Sequence, residues 1–116
     1  MATTKRVTGD TDIFSGLIRI HVLHHAFVEG VFGLGMMTEL KRHGYKIGPG
    51  TMYPLLHGME KRGWLRSRNA QIDGRARKVY FATKAGKKTL EEAKSKVREL
   101  FEEIFEEEDS EDYRNE

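Results

Sequence analysis

Apolar positions along the chain follow a helical rhythm in four segments and an extended one in two. In residues 13–28 the apolar set Ile13, Phe14, Leu17, Ile18, Ile20, Val22, Leu23, Ala26 and Phe27 covers nearly the whole circumference of a helix, with Asp12 placed as its N-cap. A helix apolar on most sides is buried on most sides. In a small domain that means its own core on one flank and a partner subunit on the other. The stretch from Gly30 to Gly35 interrupts the pattern. A second helix over 34–43 turns Met36, Met37 and Leu40 inward, and Gly44 closes it as a left-handed cap. After an extended connector at 45–47, Pro49 suits the first position of a third helix. Met52, Leu55, Leu56 and Met59 form its inner face, Pro54 should kink it, and Gly63 ends it with Trp64 folding back on Met59.

The rhythm then changes. Residues 64–69 and 76–82 read as two strands, joined by a link at 70–75 that contains Asp73-Gly74, a strong hairpin signal. Thr83 caps a last helix over 84–108. Leu90, Ala93, Val97, Leu100 and Ile104 follow 3-4-3-4 spacing there, and Phe101 and Phe105 widen the stripe. A helix of that length cannot bury its stripe on so small a body, so the seam is expected to meet a second subunit. A helix folded back on its own domain is the alternative. The predicted fold is mainly α with a small β-hairpin. It divides into a polar arm (1–11), a tri-helical and hairpin domain (12–82), a dimerisation helix (83–108) and an acidic tail (109–116).

Charge sharpens this picture. The net charge of the 116 residues is only +2, but residues 1–90 hold 16 Lys/Arg against 6 Asp/Glu, while residues 91–116 hold 4 against 12. A basic body suggests a polyanionic partner, and the acidic tail should point away from it. The chain has no cysteine, which excludes disulfides, thiolate nucleophiles and Cys-based zinc sites. No apolar run is long enough to span a membrane and the N-terminus has no apolar signal region, so a cytoplasmic location is expected, with no membrane partner. No nucleophile has a recognisable base beside it, so no catalytic residue is assigned. The glycine-rich stretch at 30–35 lacks the Lys-Ser/Thr ending of a phosphate-binding loop.

Three helices followed directly by a basic hairpin read as a winged helix-turn-helix, whose third helix enters the major groove of duplex DNA. The candidate DNA contacts on that helix are Gly50, Thr51, Tyr53, Pro54, His57 and Lys61. On the hairpin they are Arg66, Arg68, Arg75, Arg77 and Lys78. Hydroxyls and cations suit phosphate oxygens, and a helix N-terminus attracts anions. Either part alone reads equally as an ordinary short helix or a solvated hairpin, and a fold that kept its shape but serves only protein contacts is a further reading. The candidate dimer contacts are Phe14, Leu17 and Ile18 from the first helix and Leu90, Ala93, Val97, Leu100, Phe101 and Ile104 from the last. His21, His24 and His25 stand at i, i+3 and i+4, a spacing that can chelate a transition metal. Histidines hydrogen-bonded within a core or interface are the alternative. His43 reads as a surface residue.

The segment GPGTMYPLLHGMEKRGWLRSR followed by DGRARKVYFATKAGKKTL resembles the PadR family of bacterial and archaeal regulators. The resemblance rests on Pro49, Gly50, Thr51, Met52, Tyr53, Pro54, Leu56, Glu60, Gly63, Leu65, Gly74, Arg75, Arg77, Tyr80, Thr83 and Gly86, with Met59 where leucine is usual. It implies a homodimeric regulator acting on a palindromic operator, often a repressor, released by a small-molecule effector; no cofactor is expected. It further implies phosphate contacts from Thr51 and Tyr53 and a wing at 75–78 that meets the adjacent groove. The single short last helix resembles the compact subgroup. One departure is Phe32-Gly33-Leu34-Gly35, where many members open the second helix with Gly-Tyr.

Overall fold

The structure, a computed structural model, describes residues 11–109. The expected N-terminal arm and acidic tail lie outside the described residues except at Thr11 and Asp109. The order is α1 (Thr11–Val28), α2 (Gly33–Arg42), α3 (Pro49–Lys61), β1 (Leu65–Ile72), β2 (Arg75–Ala82) and α4 (Lys84–Asp109). Helix α1 begins at Thr11, so Asp12 sits inside the first turn, where its charge still complements the helix dipole.

The helix ends follow the sequence signals. Gly44 and Gly63 both have positive φ. The Tyr45 N–H donates to the Leu40 carbonyl (2.9 Å) and the Trp64 N–H to the Met59 carbonyl (3.0 Å). Each pair closes a helix by bonding back five residues, which satisfies carbonyls the last turn leaves free. Thr83 caps α4, its hydroxyl accepting from the Gly86 N–H at 3.0 Å while also donating to the Gly63 carbonyl. That one side chain ties the start of α4 to the end of α3.

Strands β1 and β2 run antiparallel, with Leu65 opposite Ala82 and Ile72 opposite Arg75. They extend to the turn itself, so the six-residue link expected at 70–75 is a two-residue turn. Asp73 and Gly74 both have positive φ (52° and 77°), the geometry whose twist matches that of the strands. Val31 adds a single-residue third strand, exchanging two backbone bonds with Tyr80 (2.9 and 2.7 Å).

The core is one cluster. Val22, Leu23 and Ala26 of α1, Met36 and Leu40 of α2, Met52, Leu56 and Met59 of α3, Leu65 and Tyr80 of the hairpin and Leu90 of α4 are all buried. Two residues expected at a subunit interface belong to it instead: Ile18 and Leu90 are 4% and 3% exposed within this one chain. Both belong to the core cluster of the domain, which covers them without a partner. Phe14 is half-buried and packs against the Tyr45 ring at 6.2 Å. Ala93 is half-buried, and the seam stands clear only beyond it. Val97, Leu100, Phe101 and Ile104 are exposed along the distal half of α4, with Phe105 beside them, and Ile13 and Leu17 are exposed on α1. The molecule measures 57 × 29 × 26 Å, the long dimension set by α4, a helix of roughly 39 Å at 1.5 Å per residue. Between Ile20 of α1 and Val97 and Phe101 of α4 lies an open groove of about 620 Å³.

Candidate nucleic-acid interface

The outer surface of α3 and one face of the hairpin make up the candidate interface. On α3, Gly50, Thr51, Tyr53, Pro54, His57 and Lys61 are all exposed, while Met52, Leu56 and Met59 hold the opposite face in the core. Gly48 supplies an extended N-cap without a side-chain bond, and Pro49 takes the first turn. Pro49 has no N–H, and the Thr51 and Met52 N–H groups donate to the Gly48 carbonyl (3.1 and 2.9 Å), so what this helix start offers an anion is chiefly its dipole and the exposed Thr51 hydroxyl. Tyr53 is held by α2. A Cβ placed on Gly33 would stand 2.7 Å from Tyr53 Cζ, so a glycine there lets the ring rest in its present position at the start of α2.

Strand alternation and register sort the wing cations. Arg66 pairs with Phe81, Arg68 with Val79, Ala70 with Arg77 and Ile72 with Arg75. All four arginines therefore share one face. Lys78, opposite Asn69, points from the other. The arginines differ in anchorage. Arg68 and Arg66 lie over the Phe81 ring at 4.7 and 5.8 Å, and Arg77 lies over Phe32 at 5.6 Å, with its Nε buried and without a hydrogen-bond partner. These stacked contacts fix guanidinium groups without neutralising them. Arg75, next to the turn, is exposed.

Glu60 locks the wing to the recognition helix. Its Oε2 accepts from both the N–H (2.9 Å) and the hydroxyl (2.8 Å) of Ser67. Its charge, after burial, also raises the Tyr80 phenol above its ordinary value. Glu60, Ser67, Phe32, Phe81 and the Val31 bridge were not assigned these roles from the sequence. Glu60 entered only as a matched position of the resemblance, and the aromatic partners of the arginines have no sequence signature, because they arise from strand register and a loop brought beside it.

The histidines regroup. His21 stacks on His43 (ring centroids 4.7 Å) and stands 5.7 Å from the Tyr45 ring, while His25 Nε2 lies 3.6 Å from Glu39 Oε2. His24 is exposed and meets His25 edge-on at 5.1 Å. The three therefore do not gather as a set: two turn toward α2 and one stays outside. His43, expected on the surface, is part of the group, its Nε2 3.0 Å from Glu39 Oε2. Arg42 also bonds Glu39, at 2.8 Å, and chiefly holds that carboxyl down at about 2, with His43 adding to the effect. Burial, and then the neighbouring His43, lowers the His21 pKa. Among the described residues no group of three or more His, Cys, Asp or Glu side chains is placed to hold a metal ion, and no helix is long and apolar enough to cross a membrane.

Comparison with known proteins agrees with this arrangement. The profile of the Transcriptional regulator PadR-like family matches residues 22–92. The chain is 47% identical over 88 residues to the transcriptional regulator Rv3488 of Mycobacterium tuberculosis, covering 76% of this chain and 82% of that one. Among solved structures, a PadR-like transcriptional regulator from Bacillus cereus superposes with a TM-score of 0.80 at 26% identity, over 86% of this chain and 99% of the other. A PadR family transcription regulator from Clostridium difficile gives 0.71 at 26% identity, over 78% and 97%.

Proposed function

This chain belongs to the Transcriptional regulator PadR-like family, and from that premise we propose that it is a homodimeric, sequence-specific repressor binding a palindromic DNA operator. The observation that carries the reading is the exposed outer surface of α3 beside a basic hairpin that Glu60 fastens to it through Ser67. Helix α3 inserts its N-terminal half into the major groove. Thr51 and Tyr53 bond phosphate oxygens, and His57 and Lys61 follow the groove wall. Arg75 reaches the flanking backbone, with Arg66, Arg68 and Arg77 supplying a fixed positive field behind it.

Dimerisation supports the reading. The distal α4 stripe and Leu17 of α1 leave large apolar side chains exposed on a single chain, a pattern that marks an interaction surface. Pairing those stripes sets two copies of α3 at the spacing of successive major grooves, roughly 34 Å. The groove lined by Ile20, Val97 and Phe101 then borders the subunit junction, the place for a small, partly apolar effector that releases DNA. A gel shift with the DNA upstream of the protein's own gene tests the proposal. Binding that weakens steeply with salt and survives competition by unrelated DNA supports it, and equal affinity for every duplex refutes it.

A further inference from the structure

The hairpin has two faces, and the one that carries Ser67 is the one fastened to α3 through Glu60. Leu65 and Tyr80 lie on that face within the core cluster, with Tyr80 directly opposite Ser67. Alternation carries the same face outward beyond α3. Its next members are Asn69, paired with Lys78, and Gln71, paired with Ala76. All four are exposed, and among the described residues no hydrogen bond or ion pair engages the Asn69, Gln71 or Lys78 side chain. Asparagine is a poor strand former, so stability does not explain Asn69 in the middle of β1. The wing arginines occupy the opposite face, where Arg66 and Arg68 lie over Phe81 and Arg77 over Phe32.

From Ser67 to Ile72, where the turn begins, β1 advances five residues, about 17 Å at 3.4 Å per residue. Half of the roughly 34 Å duplex repeat is the same distance, so a wing anchored to a helix lying in the major groove reaches the adjacent minor groove. We infer that Asn69 and Gln71 are the wing's reading side chains, hydrogen-bonding A·T base pairs in the minor groove that flanks each half-site, while Lys78 beside them holds a phosphate. This role rests on the proposed DNA binding and adds a sequence preference to it. Carboxamide N–H groups donate to adenine N3 and thymine O2, the acceptors an A·T pair shows in this groove, whereas a G·C pair puts the guanine amino group in their way. Ala76, opposite Gln71, adds no bulk at the approach. The narrow groove of A·T tracts also carries enhanced negative potential, which favours Lys78. The arginines, on the face turned from α3, raise the field without reading bases.

The test uses the full-length protein and a duplex it recovers from a random pool, resynthesised with the half-sites fixed and the flanking steps set to A·T, to G·C or to inosine·C. Inosine lacks the guanine amino group, so its pair with cytosine matches A·T in the minor groove and G·C in the major groove. Fluorescence anisotropy reads the affinities. The wild-type protein, with no variant needed, is expected to bind the A·T and inosine·C flanks at least about fivefold tighter than the G·C flank. In the double variant Asn69→Ala/Gln71→Ala that ratio falls to within about twofold, with the melting temperature and circular dichroism unchanged. Lys78→Ala weakens binding to every flank, lowers the salt slope by about one contact and keeps the ratio. Equal affinity for the three flanks, G·C-like affinity for inosine·C, or a ratio that survives in the double variant overturns the inference and leaves DNA binding standing. A pool from which no duplex is recovered overturns both.

Discussion

The phenol ring of Tyr53 lies against the backbone of Gly33, so the first residue of α2 is the shelf on which a recognition-helix side chain rests. A Cβ at Gly33 would come 2.7 Å from Cζ and 2.9 Å from the hydroxyl oxygen, a distance real Cβ contacts do not tolerate. Gly33→Ala must therefore move Tyr53 or shift α2. Tyr53 is 39% exposed and its ring is free to swing off α2, so the expected result is a displaced Tyr53 and weaker DNA binding with little loss of stability. Tyr53→Ala should lower DNA affinity in the wild-type background and add little in the Gly33→Ala background. Thermal melts and fluorescence anisotropy on the single and double variants measure both.

Glu60 is the hinge pin of the wing. Glu60→Ala leaves the Ser67 N–H and hydroxyl without their charged acceptor, and bonds to charged groups are worth about 1.5–3 kcal/mol. The variant should melt lower and bind DNA less tightly, although Glu60 itself is acidic and its loss makes the surface more positive. Stronger binding in Glu60→Ala would show that charge outweighs positioning here.

The wing arginines should not be equivalent. Arg75 is exposed, and Arg75→Ala should lower DNA affinity with little change in stability, reducing the slope of log affinity against log salt by about one phosphate contact. Arg68→Ala removes a stacking partner of Phe81, so it should also cost stability, on the order of 0.5–1 kcal/mol. Denaturant melts paired with salt-dependent anisotropy separate the two classes.

Leu90 and Ile104 lie on one helix stripe but in different environments. Leu90→Ala should destabilise the fold by about 2–5 kcal/mol, the range for emptying a core site, and leave the folded fraction dimeric. Ile104→Glu, at a position 46% exposed in the single chain, should leave the domain folded and convert it to monomer. Light scattering with circular dichroism distinguishes these outcomes.

Tyr80 makes stability fall at alkaline pH. Its folded pKa is raised above the ordinary 10.0, first by burial and then by the charges of Glu60 and Tyr53. The unfolded chain therefore loses its proton first. The contribution is complete below pH 10.0 and is lost as pH rises through the folded value. Tyr80→Phe should flatten that decline, with the remainder carried by Tyr45, which burial raises in the same direction. Urea melts between pH 8 and 11 check it.

Element types and order were legible in the sequence because they rest on local rules: helical spacing, Gly44 and Gly63 at the caps, Asp73-Gly74 at the turn. The exposed residues of α3 were legible for the same reason, since burying Met52, Leu56 and Met59 leaves Thr51, Tyr53 and His57 outside. What escaped was set by tertiary proximity. Periodicity places Leu90 and Ile104 on one stripe and cannot say where the domain stops covering it. Helix spacing grouped His24 with His21 and His25, whereas the partner helix selected Glu39 and His43. Register, not composition, put four arginines on one wing face and Lys78 on the other.

Selection of fragments from a random duplex pool by the purified protein, followed by sequencing, tests the dimeric repressor geometry most directly. The account predicts an enriched inverted repeat whose half-sites are centred about one helical turn apart, roughly 10 base pairs, and loss of enrichment with Ile104→Glu. A pool that stays unenriched, or enriches a single unrepeated motif bound equally well by the Ile104→Glu monomer, contradicts it.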